Sequence, residues 1–282
     1  MVFNIEAQTL TISSGSSGPG RIYVAATTMS NRAVAFHMGQ SNTRGVESTM
    51  PGSNLPTEMQ DSADVLREWV WTFAGGGTLR KSYPNNVSPL KRAADSLLTG
   101  AKQAYQLYLP NINPRLFLAD WNRGGTALVP YSSNVYFNQA VSSYNMASWM
   151  TAIKAVPGLQ KEYSVLIWGQ GEDEAADPNP SQVANYASNF ASFAADMRAN
   201  FGYRIPIFLI KLHNYPGVGN YSGMIAQQNS IPALVGNCYL IDPGSLGSSS
   251  VHYVYSEHVS LDAMVANSMA TYFNRAQLIK AY

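Results

Sequence analysis

Charge is scarce in this sequence. Of 282 residues only 12% are Asp, Glu, Lys or Arg, and 18 basic against 17 acidic side chains leave a formal charge of +1. There is no basic field to draw in a phosphate backbone and no acidic tail, which argues against nucleic acid as a partner. Cysteine is rarer still. Cys238 stands alone, so an intrachain disulfide framework is excluded, and its place in the apolar run 237–241 makes it a small core residue. No run approaches the ~18 apolar residues of a membrane span, and no charged-then-apolar leader opens the chain, so no membrane association is expected while export stays open. No His/Cys/Asp/Glu group has ligand spacing, and neither a metal nor another cofactor is expected.

What is present is 46% hydrophobic residues, in a chain long enough to bury one large core or two small ones. Tyr, Asn, Ser and Gly are plentiful, a composition suited to sugars, whose hydroxyls take neutral hydrogen-bonding partners and whose faces pack on aromatic rings. Residues 4–12 and 21–27 read as strands around a Ser/Gly/Pro run, so residues 1–30 are expected to be a β-hairpin or linker segment and 31–282 the main domain. Residues 47–86 show no sustained period and read as a loop, either facing substrate or a plain surface excursion. Short apolar runs starting at Ala33, Arg115, Tyr163, Ile205 and Asn237 read as strands. Helical spacing alternates with them at 88–109, 136–156, about 177–201, 223–234 and about 261–279. Such alternation predicts an α/β fold: three α/β/α layers with a five-stranded parallel doubly wound sheet. Ligands of such a sheet bind outside its carboxyl edge, where Ser41, Gly125, Gln170, His213 and Asp242 would all lie.

The chemistry-bearing blocks sit after those strands. Gly39-Gln40-Ser41-Asn42 places a serine on a tight turn behind a buried strand, the position of a nucleophile. Gly124-Gly125-Thr126 and Trp168-Gly169-Gln170-Gly171-Glu172-Asp173-Glu174 follow two more strands, and Ser256-Glu257-His258-Val259-Ser260 precedes the last predicted helix. A serine nucleophile needs a base, an oxyanion hole and a group to orient the base.

In this order the four blocks resemble the SGNH hydrolases, and within them the sialate O-acetylesterase-like carbohydrate esterases, from about Ala33 to the C-terminus. The resemblance implies an SGNH/flavodoxin-like fold with Ser41 as nucleophile and His258 as base. It also implies an oxyanion hole made of the Ser41 and Gly125 amides and the Gln170 side chain, with Glu172 as buried support. Gln40, Asn42 and His213 are expected to touch substrate. One position departs from the family: three residues before the histidine, where an Asp is usual, stands Tyr255. Either the site is a Ser-His dyad or another acid orients the base, and Glu172, Glu174, Asp242 and Glu257 are the candidates. His252 lies in the loop before His258 and His37 inside the first strand; neither is assigned the base role.

The function implied is removal of O-acetyl groups from a poly- or oligosaccharide through an acetyl-enzyme intermediate. An esterase with an N-terminal β segment and a leaderless start would suit a phage tail fibre or spike domain and, equally, a bacterial polysaccharide esterase. The alternatives are a non-catalytic carbohydrate-binding module on the same fold, favoured by the absent Asp, and a lipase or thioesterase. Whether the chain forms a homo-oligomer is not legible.

Overall fold

The computed structural model describes residues 32–44, 70–74, 78–82, 115–122, 125–129, 135–136, 150–151, 153–154, 164–177, 179–202, 205–213, 215, 219–247 and 251–280. The expected N-terminal β segment and the helix expected at 88–109 lie outside these residues. Of the helix expected at 136–156, residues 150, 151, 153 and 154 are helical, with Met150 and Ile153 buried, whereas Tyr136, its expected first residue, lies in a short strand, Val135–Tyr136.

The strands are β1 Arg32–Gly39, β2 Val70–Ala74, β3 Thr78–Ser82, β4 Arg115–Asn122, β5 Thr126–Ala127, β6 Val135–Tyr136, β7 Val165–Gly169, β8 Ile207–Ile210 and β9 Cys238–Ile241. The helices, numbered in chain order, are α1 Ser41–Arg44, α2 Glu172–Ala176, α3 Pro180–Ala184, α4 Tyr186–Phe201, α5 Tyr221–Val235 and α6 Tyr255–Lys280. Seven strands form one sheet in the order β3-β2-β4-β1-β7-β8-β9. Every pairing in it is parallel except β2 with β3. The five expected strands are its centre and one side. The β2–β3 hairpin, which the sequence reading takes for a loop, extends the sheet on the other side: Gly75-Gly76-Gly77 is the link between two paired strands.

Alternate residues of the central strands face opposite layers, as a period of two requires. Leu166, Trp168, Ile207 and Leu209 join one core with Phe190, Phe193 and Met197 of α4 and Met224 and Ile231 of α5. Trp168 lies 4.6 Å from Phe193 and 5.5 Å from Phe190, ring centre to ring centre. On the other face Phe208 stacks 5.5 Å from Tyr239 and meets Tyr272 of α6 edge-on at 6.1 Å. Each fully buried ring of this kind stabilises the fold by roughly 1.5–3 kcal/mol. Helices on both faces of a parallel sheet make the three-layer arrangement.

Two helix boundaries differ from the sequence reading. The long helix expected to reach Phe201 is two, α3 and α4, meeting at Asn185. The last helix starts at Tyr255, not near Leu261, and this moves His258 from the segment before the helix into its first turn.

Candidate active site

β1 stops at Gly39, level with Asn122 of β4 and Gly169 of β7. A Cβ on Gly39 would stand 2.0 Å from both the Gly169 carbonyl oxygen and Thr43 Oγ1, so no other residue lets the chain turn here. The same carbonyl accepts from the Gln40 amide (3.0 Å) and from Thr43 Oγ1 (2.5 Å), which fastens the turn to β7. Ser41 opens α1 directly behind this fixed turn. Gln40, expected at the substrate, is buried; its Oε1 accepts from the amides of Gly171 (3.2 Å), Glu172 (3.0 Å) and Asp173 (3.4 Å) and so caps α2.

Asn42 is likewise buried rather than open to substrate. Its Nδ2 donates to Glu172 Oε1 (2.8 Å) and to the Val251 carbonyl (2.9 Å), and its Oδ1 accepts from the Tyr253 amide (3.1 Å). Both backbone neighbours of His252 are thereby tied to the residue that follows Ser41. His252 itself is half-buried and electrostatically coupled to Glu172, whose carboxyl burial pushes above the usual carboxylate range against the opposing pull of Asn42.

Gln170, expected as an oxyanion donor, has partners within the protein. It is wholly buried, and Nε2 donates to the Thr126 carbonyl (3.0 Å) and to Glu174 Oε2 (2.5 Å), so both of its N–H groups are taken. Tyr186 Oη donates to the Gln170 carbonyl (2.8 Å) or Oε1 (2.9 Å), and Gln228 Nε2 reaches the same carbonyl at 3.1 Å. What this achieves is to hold the turn before β5. There Gly125 is exposed with φ +59°, a conformation that favours glycine, beside the Thr126 carbonyl that Gln170 grips. Glu174 completes the clamp, with Oε1 accepting from the Leu128 amide at 2.6 Å. Desolvation pushes its carboxyl up to about 7 despite that bond, and its place behind Gln170 removes it from the acids that serve a histidine.

His258 is buried in the first turn of α6, its ring edge-on to Tyr253 at 5.6 Å. Burial first, then His37, lowers its pKa to about 4, so it is neutral at pH 7 and a weak base. Glu257, its neighbour, spends its oxygens on the amides of Gly247 (2.8 Å) and Val254 (2.8 Å); as third residue of the helix it holds the amide of the residue before it, half of a capping box. Asp242 is exposed, paired with Lys211 (2.6 Å) and bonded to the Gly244 amide (2.9 Å), and the Lys211 bond keeps its pKa low. His213, expected at the substrate, is buried with its ring 4.9 Å from Tyr253, 6.1 Å from Tyr215 and 6.3 Å from Tyr221.

The structure thus brings Ser41, Asn42, Glu172 and the His252 loop together, while Gln40, Gln170, Glu174 and Glu257 brace the surrounding loops. His252 is the residue that the sequence reading leaves without a role. Its signal is the resemblance's own criterion, a histidine just ahead of the last helix, which selects His252 once the helix begins at Tyr255.

A family model described as carbohydrate esterase, sialic acid-specific acetylesterase, matches residues 31–271. Among solved structures, a protein from Arabidopsis thaliana superposes with a TM-score of 0.59 at 16% identity, over 86% of this chain and 99% of that one. A carbohydrate acetylesterase from Xanthomonas citri gives 0.56 at 17% identity, over 85% of this chain and 57% of that one. The protein NanS gives 0.53 at 12% identity, over 89% and 98%. At these identities the likeness is one of fold. A comparison with the curated proteins finds no match.

Proposed function

Since the chain belongs to the carbohydrate esterase family of sialic acid-specific acetylesterases, and is a carboxylic ester hydrolase of the carbohydrate acetylesterase kind, we propose that it removes O-acetyl groups from a poly- or oligosaccharide through an acetyl-Ser41 intermediate, with His252 as general base. The observation that supports this choice of base is the Asn42 clasp: side-chain bonds to Val251 and Tyr253 hold the His252 loop against the residue after Ser41.

In the first half-reaction Ser41 Oγ attacks the acetyl carbonyl carbon while His252 takes the hydroxyl proton. The oxyanion forms against the Ser41 and Gly125 amides, the two donors that remain once Gln170 is accounted for. The tetrahedral intermediate then expels the sugar oxygen, which takes the proton from the imidazolium. In the second half-reaction His252 activates a water, the water attacks the acetyl-serine, and acetate leaves with the Ser41 hydroxyl restored.

Acetate release from an acetylated oligosaccharide tests the assignment. Ser41→Ala should lose on the order of 10⁶-fold in kcat with the fold intact. His252→Asn should lose on the order of 10⁴-fold or more, and His258→Asn less than about tenfold. An inactive His258→Asn beside an active His252→Asn would return the base role to His258. Retained activity in Ser41→Ala would overturn the covalent mechanism.

A further inference from the structure

Neither histidine near the site has an acid three positions ahead of it: those residues are Ser249 and Tyr255. We propose that Glu172, on a different element, does this work for His252, positioning it through Asn42 and stabilising its imidazolium by charge. The proposal rests on His252 as the base of the reaction above.

Geometry leads to Glu172. Both N–H groups and the oxygen of the Asn42 carboxamide are engaged: one N–H meets Glu172 Oε1, the other meets the Val251 carbonyl, and the oxygen meets the Tyr253 amide. Turning the amide over would set its N–H groups against the Tyr253 N–H and its oxygen against the Glu172 carboxylate and the Val251 carbonyl. Glu172 therefore helps fix which way Asn42 points, and Asn42 fixes the backbone on both sides of His252. The other carboxylate oxygen, Oε2, is buried with no hydrogen-bond partner. Glu172 borders a cavity of about 20 Å³ together with Tyr253, whose hydroxyl is also buried and unpartnered. That space is large enough for one water-sized group, and its wall is mostly apolar.

Charge points the same way. The titratable groups coupled to Glu172 are His252 and Tyr253 on the loop, Asp173 on its own helix, Tyr221 at the start of α5 and Tyr186 at the start of α4. Only His252 among them gains a positive charge. Burial drives the Glu172 carboxyl toward its neutral form, and a charge on His252 draws it back toward the carboxylate. The attraction is greatest when the imidazolium exists, which in acyl transfer is the transition state, so it raises kcat rather than tightening substrate binding.

The test uses the full chain, an acetyl ester at pH 4.5–9, and thermal unfolding alongside. In Glu172→Gln the oxygen that accepts from Asn42 and the side-chain volume are kept while the charge is lost. The expected result is a kcat at least tenfold lower at unchanged KM, with the acid limb of kcat/KM moved down by about one pH unit. Asn42→Ala removes the clasp and leaves the charge, and should lower kcat at least tenfold with a much smaller displacement of the limb. A Glu172→Gln enzyme with wild-type kcat and an unmoved limb would overturn the proposal. If that variant does not fold, Asn42→Ala with kcat within twofold of wild type would overturn it. The Ser41→Ala control separates the two readings: loss there with no loss in Glu172→Gln leaves the esterase standing and removes only this role for Glu172.

Discussion

Acidification from pH 7 to 5 should draw opposite responses from two buried groups of this protein. Glu174 has its pKa raised from 4.5 to about 7, so between those values the folded state binds more protons than the unfolded chain, and stability falls as pH rises through the window. His258 has its pKa lowered from 6.5 to about 4, so the folded state binds fewer protons there, and stability is lost as pH falls. Integrating each from pH 7 to 5 gives Glu174 a gain of about 2 kcal/mol and His258 a loss of about 2 kcal/mol. Either contribution alone is unmasked by removing the other. Glu174→Gln should lose about 2 kcal/mol relative to wild type over this interval, and His258→Gln should gain about as much. Urea unfolding at the two pH values measures both. Taking each variant's change minus that of wild type cancels every other titrating group that the substitution leaves alone. A difference under about 0.5 kcal/mol in both variants would show that neither group titrates as its burial dictates.

Three further outcomes follow from the wiring of the site. Gln170→Ala should lower kcat by ~10²-fold by freeing the Gly125 turn and should also destabilise the fold by about 1–3 kcal/mol, since Glu174 is left short of a donor; loss of kcat without loss of stability, measured by urea midpoint, would instead make Gln170 a direct oxyanion donor. Gly39→Ala forces a methyl against the Gly169 carbonyl and should cost about 3 kcal/mol or more, read as a lower melting temperature together with lost activity. Glu257→Ala removes the acceptor of the Gly247 and Val254 amides and should cost about 1–2 kcal/mol and lower kcat modestly by loosening the entry to α6.

The central strands were legible because burial on both sides of a sheet demands unbroken apolar runs, and 165–169 and 207–210 supply them. The β2–β3 hairpin was not, since Val-Trp-Thr-Phe-Ala and Thr-Leu-Arg-Lys-Ser carry mixed polarity and a triple glycine reads first as a loop. A three-residue glycine link between two short β-prone runs was the available signal. The start of α6 was hidden for a different reason. Tyr255 carries no conspicuous capping residue before it, and the helix is begun by Glu257 reaching back to Val254, a tie visible only in three dimensions. The blocks marked the right edge of the sheet, but side-chain roles depended on acceptors far away in sequence. Gln170 looks like a donor to substrate until Thr126 and Glu174 are seen to occupy it.

That remoteness has a kinetic consequence. Asn42 meets Val251 and Tyr253 across 209 and 211 residues of chain, so no early, local collapse can bring the 251–253 segment to the turn that holds Ser41. Contacts of such separation must await the closure of everything between them. During refolding, secondary structure and burial of the Trp168 ring should therefore recover in earlier phases, and hydrolysis of the acetyl ester only in the last, when the C-terminal segment reaches back to the first strand. Turnover in this protein is a clock for the completion of folding.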